Sequence, residues 1–186
     1  MSSGLAPSAA AGSSLPGLIS AKIRDIPDYP QPGIVFKDIT PLLADGDAFA
    51  AVVSAIADES GNARVDKVVG IEARGFILAA PVACRLRAGF VPVRKQGKLP
   101  AETLGESYEL EYGTATVEVH VDAFRPGERV LIIDDVLATG GTAAASVSLV
   151  RRSGAEVAAV SVLLELGFLG GRARLPGVEV RSLLAV

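Results

Sequence analysis

Apolar residues along this chain gather into two kinds of stretch. Short, largely apolar runs rich in Val, Ile and Leu recur at 67–71, 90–94, 130–133, 155–164 and 179–184. Bounded by turn residues, such runs predict strands buried on both faces of a parallel sheet. Between them lie stretches with apolar positions at helical spacing. These are 47–60, with Val52, Val53, Ile56 and Ala57 on one face, about 76–87, and 143–152 with Gly154 as its stop. Residues 41–43 predict one further helical turn, and 18–25 a short amphipathic helix ended by Pro27. The segment 27–33 is too proline-rich for regular structure. Residues 109–112 and 115–120 predict a hairpin turned at Gly113, whereas 96–107 carries charge and no apolar period and predicts a long flexible loop, a flap. Alternating strands and helices imply an α/β fold, a mostly parallel twisted sheet flanked by helices. The part before Asp66 stands outside that alternation, so residues 18–65 are expected to contribute a small N-terminal covering lobe. Residues 1–17, rich in Ser, Ala, Gly and Pro, are expected to be a disordered leader and not a secretory signal, with 18–186 a single domain.

Composition changes this picture only by exclusion. The 186 residues carry a formal net charge of −3, which argues against a broad nucleic-acid-binding face. No apolar run approaches the roughly 20 residues that span a bilayer, so no membrane association is expected and the cytoplasm is the default location. Cys84 is the only cysteine and is expected to be a buried, inert thiol in a helix. A single histidine, His120, gives no support to a Ser-His-Asp hydrolase or a multi-histidine zinc site.

The chemistry concentrates where the run 130–133 ends. Asp134 and Asp135 follow it, at the end of a strand where open α/β sheets place their ligands. Ala138, Thr139, Gly140, Gly141 and Thr142 then keep side-chain bulk away from the backbone, so peptide N–H groups and hydroxyls can close around an anion at the first turn of the next helix. Carboxylates suit a diol as hydrogen-bond acceptors, and an amide-lined loop suits a phosphate. A Walker A loop would need Gly-Lys-Ser/Thr, and no Lys lies between Asp134 and Thr142; a Gly-x-Gly-x-x-Gly fingerprint is missing as well.

An apolar strand, two acids, two variable residues and small-Thr-Gly-Gly-Thr resemble the phosphoribosyl pyrophosphate (PRPP) loop of the type I phosphoribosyltransferases. Three further segments narrow the resemblance to the adenine phosphoribosyltransferase family: 28–40 (DYPQPGIVFKDIT), 70–76 (GIEARGF), and 94–100 (RKQGKLP) with 107–113 (SYELEYG). The resemblance spans about residues 23–184.

The resemblance implies a set of roles. Asp134 and Asp135 would hold the ribose hydroxyls and 138–142 the 5′-phosphate. Phe36 would stack on the purine while the backbone of Val35 pairs with its edge, and Lys37 stands where the family often has Arg. Arg74 would face the pyrophosphate, next to a non-proline cis peptide at Glu72–Ala73. Lys95 and Lys98 would bring positive charge with the closing flap. Strand alternation puts Glu109 and Glu111 on one face and does not choose between them. The family match chooses Glu111 for transfer of the imidazole-ring proton, with Tyr112 its neighbour. Implied too are Mg²⁺ carried mainly by PRPP and pyrophosphate without a dedicated protein metal site, adenine, PRPP, AMP and pyrophosphate as ligands, and a homodimer. The rival expectations are a PRPP-sensing regulator without catalysis and a 6-oxopurine phosphoribosyltransferase.

Overall fold

The structure, a computed structural model, describes residues 14–61, 64–109 and 113–186. Its centre is a seven-stranded sheet built from β3 (Lys67–Ile71), β4 (Gly89–Lys95), β5 (Thr103–Glu109), β6 (Thr114–His120), β7 (Arg129–Leu137), β8 (Glu156–Glu165) and β9 (Val180–Ala185), in the order β5-β6-β4-β3-β7-β8-β9. The five strands from β4 to β9 across β3, β7 and β8 are parallel, and the β5–β6 hairpin joins them antiparallel at β4. Alternation along the central strands explains their unbroken apolar runs. Val68, Leu131 and Ile133 face the helices α3 (Gly46–Asp58) and α4 (Arg74–Leu86), while Val69, Val130 and Ile132 face α5 (Gly141–Arg152). The chain leaves β3 toward β4 on one side and β7 toward β8 on the other, so the carboxyl ends of β3 and β7 meet at a topological switch point.

The N-terminal part divides between the shared core and a projecting piece. Helix α1 (Leu15–Lys22) starts at the Ser14 cap, so Leu15, Pro16 and Gly17 belong to it and not to a leader; residues 1–13 lie outside the described residues. Ile19 of α1, Leu42 of α2 (Thr40–Leu43), and Val52 and Ile56 of α3 are all buried in the core shared with α4. Asp45 caps α3 by accepting from the Ala48 amide at 3.0 Å and ties it to α1 through Lys22 at 2.6 Å. What does project is a two-stranded sheet, β1 (Arg24–Pro27) with β2 (Val35–Asp38). The expected helix over 18–25 therefore ends early, at Lys22. Cross-strand ion pairs, Arg24 with Asp38 and Lys37 with Asp25, hold these strands and hide them from a hydrophobic pattern.

Other boundaries shift for reasons of pairing. Strand β7 runs past the expected end at Ile133, through both acids to Leu137, because β8 continues beside it: Asp134 pairs with Val162 and Leu137 with Glu165. The expected flap loop over 96–107 contains the first residues of β5, whose partners run from His120 to Thr114. Leu104, Glu106 and Tyr108 share its inward face, and Arg152 of α5 neutralises Glu106 there, so the strand has no apolar alternation to display. Helix α4 starts at Arg74, ahead of the expected Phe76. Cys84 lies on the solvent side of α4 and is exposed, contrary to the expectation of a buried thiol.

Candidate active site

The ends of β3 and β7 bring together residues that are far apart in the chain. The first turn of α4 presses on the end of β7: a Cβ at Gly75 would lie 2.8 Å from the Ile133 carbonyl oxygen and 2.9 Å from an Asp134 carboxylate oxygen. That close approach sets Arg74 beside the acids. Its Nε donates to the carboxylate of Asp135, which is 5% exposed, and its guanidinium lies over the Phe36 ring, 4.9 Å from the centroid. Tyr29 meets the same ring edge-on at 5.2 Å. Burial, and then the neighbouring Asp135 charge, push the Asp134 carboxyl well above the usual carboxylate range.

Beyond the acids the chain turns into α5 through Gly140, at φ 82°, a conformation that favours glycine. No side chain caps the helix, which leaves its first amides open toward the loop. Ala138, Thr139, Gly140, Gly141 and Thr142 line a small hollow of about 80 Å³ with Asp134. A larger cavity of about 520 Å³ adjoins it, lined by Glu72, Arg74, Lys95, Tyr108, Asp134, Asp135, Ala138 and Thr142. The loop rests on backbone from elsewhere, since a Cβ at Gly140 would meet the Gly171 carbonyl oxygen at 2.4 Å.

The expected site residues thus fall into groups. Arg74, Asp134, Asp135, Lys95 and the loop 138–142 converge on these two cavities, and Phe36 reaches them through Arg74. Val35, half exposed, begins β2 next to Phe36. Lys37 does not join them. It follows Phe36 in β2 and so takes the other face, where both Asp25 carboxylate oxygens hold its Nζ at 2.8 Å. Lys98 is turned to Glu72, at 2.7 Å. Glu111 and Tyr112 lie outside the described residues, and Glu109, their described neighbour, ends β5 opposite Thr114. The Glu72–Ala73 peptide is cis, as the resemblance implies.

Three residues of this region escape a reading of the sequence. The Tyr108 hydroxyl accepts from Thr142 Oγ1 at 3.0 Å, laying the flap strand against the loop. Glu72 collects the basic turn after β4, and Gly171 supports Gly140 from behind. Tyr108 is hidden because Glu106 interrupts the apolar face of β5, and the other two depend on contacts distant in sequence.

The phosphoribosyl transferase domain family matches residues 39–172, which include the whole of this constellation except the β1–β2 residues. Adenine phosphoribosyltransferase of Acidothermus cellulolyticus is 68% identical over 169 residues, covering 91% of this chain and 96% of its own. The chain belongs to the adenine phosphoribosyltransferase family. The crystal structure of an adenine phosphoribosyltransferase from Rhodothermus marinus superposes with a TM-score of 0.89 at 52% identity, covering 92% of this chain and 98% of that one. That of the Saccharomyces cerevisiae enzyme, complexed with an imino-altritol bisphosphate and adenine, gives 0.87 at 35% identity, covering 91% and 98%. Within the adenine phosphoribosyltransferase family, then, this chain sets its two acids, its small-residue loop and Arg74 around one crevice at the switch point of the sheet.

Proposed function

We infer that the protein is a purine-salvage enzyme that converts adenine and PRPP to AMP and pyrophosphate. One observation carries the reading: a single crevice offers acceptors for a diol at Asp134 and Asp135, an amide-lined hollow for a phosphate at 138–142, and a cation at Arg74. In the reaction N9 of adenine forms a bond to the anomeric carbon of PRPP as the bond from that carbon to pyrophosphate breaks. Pyrophosphate leaves with the electron pair, and the ring proton leaves the base. The transition state has oxocarbenium character, as in glycosyl transfer generally.

Each group has a task in this scheme. The hollow at 138–142 and the two acids hold the ribose at both ends, which fixes the anomeric carbon relative to the base. Arg74, Lys95 and Lys98 balance charge gathering on pyrophosphate. Glu111 takes the proton. Phe36 supplies a face for the purine, and the Val35 backbone pairs with its edge. Lys37, bound to Asp25, contributes to the base site by bracing β2. Among the described residues no group of three or more His, Cys, Asp or Glu converges to cage an ion. The two crevice acids fit instead an ion carried on the oxygens of the substrate, and Mg²⁺ bound there would neutralise charge on the pyrophosphate. No helix among the described residues is long and apolar enough to cross a membrane. A cytoplasmic homodimer completes the reading by similarity to the family, and sedimentation of the purified protein at twice the chain mass is the expected result.

The direct test incubates the protein with PRPP, Mg²⁺ and either adenine, hypoxanthine or guanine. AMP is the expected product, formed from adenine in preference to the other bases. IMP or GMP as the favoured product would make it a 6-oxopurine enzyme, and no product from any base would make it a sensor of PRPP. A Phe36→Ala variant is expected to raise KM for adenine about tenfold or more, through loss of stacking surface, with PRPP affinity changed little. Steady-state kinetics with each substrate varied in turn checks this.

A further inference from the structure

Glu72 is an acid where an acid is least expected. It lies two residues before Arg74, lines the larger cavity, and its side chain is only 9% exposed. A carboxylate so placed repels an arriving diphosphate, so its presence calls for a compensating task. Its hydrogen bonds supply one. Oε1 accepts from Lys98 Nζ at 2.7 Å, while Oε2 accepts from the Lys95 amide at 3.1 Å and from Arg94 Nε at 3.2 Å. Arg94 in turn donates to the Lys98 carbonyl at 3.1 Å. The far side of the turn is held by Glu118, which accepts from the Gly97 amide at 3.0 Å. Every charged side chain between 94 and 98 except Lys95 is thereby gathered by one carboxylate, and Lys95 is gathered by its backbone.

We propose that Glu72 is a positioning residue for pyrophosphate: it stores the cations of the 94–98 turn beside the crevice and releases them to the diphosphate when it binds. The inference rests on the reading of the crevice as a PRPP site. Cations already ordered and partly desolvated by a carboxylate exchange one anionic partner for another, so little of the attraction is lost to ordering flexible side chains. Burial alone would raise the Glu72 carboxyl, but the Lys98 ammonium, the Lys95 amide and Arg94 outweigh it and hold the group below its usual range, so it is ionised at neutral pH.

The experiment is calorimetric titration of the full chain with pyrophosphate and, separately, ribose 5-phosphate, both with Mg²⁺. Glu72→Gln is expected to weaken pyrophosphate about tenfold and leave ribose 5-phosphate within about twofold, because only the first anion meets the turn. In kinetics KM for PRPP rises similarly, while kcat at saturation changes less than about threefold. Glu72→Asp, which keeps the charge, is expected to recover part of the loss. On a Lys98→Ala background the same Glu72→Gln change has a smaller effect, because the two act together. Pyrophosphate affinity in Glu72→Gln equal to or above wild type overturns the proposal, as does an equal loss for both ligands. Should Glu72→Gln fail to fold, Glu72→Asp decides: intermediate pyrophosphate affinity supports the role, and unchanged affinity refutes it. A wild type that binds pyrophosphate yet forms no AMP sinks the catalytic reading alone, whereas one that binds no pyrophosphate sinks both.

Discussion

Replacing both crevice acids, Asp134→Asn with Asp135→Asn, is expected to reduce PRPP affinity by about a hundredfold or more while the protein stays folded. A hydrogen bond to a charged acceptor contributes roughly 1.5–3 kcal/mol and one to a neutral acceptor about 0.5–1.5 kcal/mol, and both acids are lost together. Arg74 also loses its partner in Asp135, so the guanidinium proposed to face the leaving group is no longer held in place. Asp134→Asn alone separates function from stability. In the folded chain its carboxyl binds a proton at pH values where the unfolded chain, near the ordinary 3.8, has released it. Stability therefore falls as pH rises from that ordinary value through the raised one, and the full cost remains above it. The asparagine does not ionise and escapes this cost. The variant should gain thermal stability over wild type as pH rises across that window, with a constant gain beyond it. Calorimetry with PRPP and thermal melts from about pH 4 to about pH 8 check the two halves. Wild-type PRPP affinity in the folded double variant would contradict the assignment of the acids to the ribose.

Gly171→Ala is expected to impair PRPP binding nearly as much, although Gly171 carries no group that could touch a sugar. A Cβ there would lie 2.3 Å from the Ala138 carbonyl oxygen and 3.2 Å from the Gly140 nitrogen. Both obstacles are backbone of the loop proposed to hold the phosphate, so the loop itself must move. A displacement of about 1 Å at a substrate-positioning segment costs on the order of a hundredfold, and the overpacking about 1–3 kcal/mol of stability. Gly170→Ala is the control: its φ of 65° also disfavours alanine, but a Cβ there meets nothing within 4 Å. It should lower the melting temperature and leave PRPP affinity close to wild type. Equal affinities for PRPP in Gly171→Ala and wild type would show that the loop does not depend on this support.

What the sequence reveals of the site is what lies contiguous within it. The acids and the loop 138–142 share one strand-to-helix connection, and the central strands betray themselves because both faces are buried, as at Val68 and Val69. The misjudged parts have their causes in pairing. The strands β1 and β2 are held by charge pairs, and β5 presents Glu106 where a core position would show an apolar residue. Cys84 sits in a helix largely apolar on one side, and composition alone does not say which side of α4 it takes. Lys37 adjoins Phe36 in sequence yet opposes it in space, because neighbours in a strand face apart. Glu72 and Gly171 take their meaning from partners that no local pattern could name.

The β5–β6 hairpin meets the parallel sheet at the end of β4, where Arg94 pairs with Glu118 and Lys95 with Val117, and where the Gln96 amide donates to the Thr116 carbonyl at 3.0 Å. Two of these positions are the rungs of the ladder. Each rung bears a basic residue on its β4 side, and the turn between β4 and the hairpin is the one that carries Lys98. Arg94 and Lys95 stay with β4, whereas Lys98 lies on the hairpin side of the joint, so a tilt of the hairpin would carry its ammonium group along. Hairpin tilt and the placing of that one charge would then be a single degree of freedom.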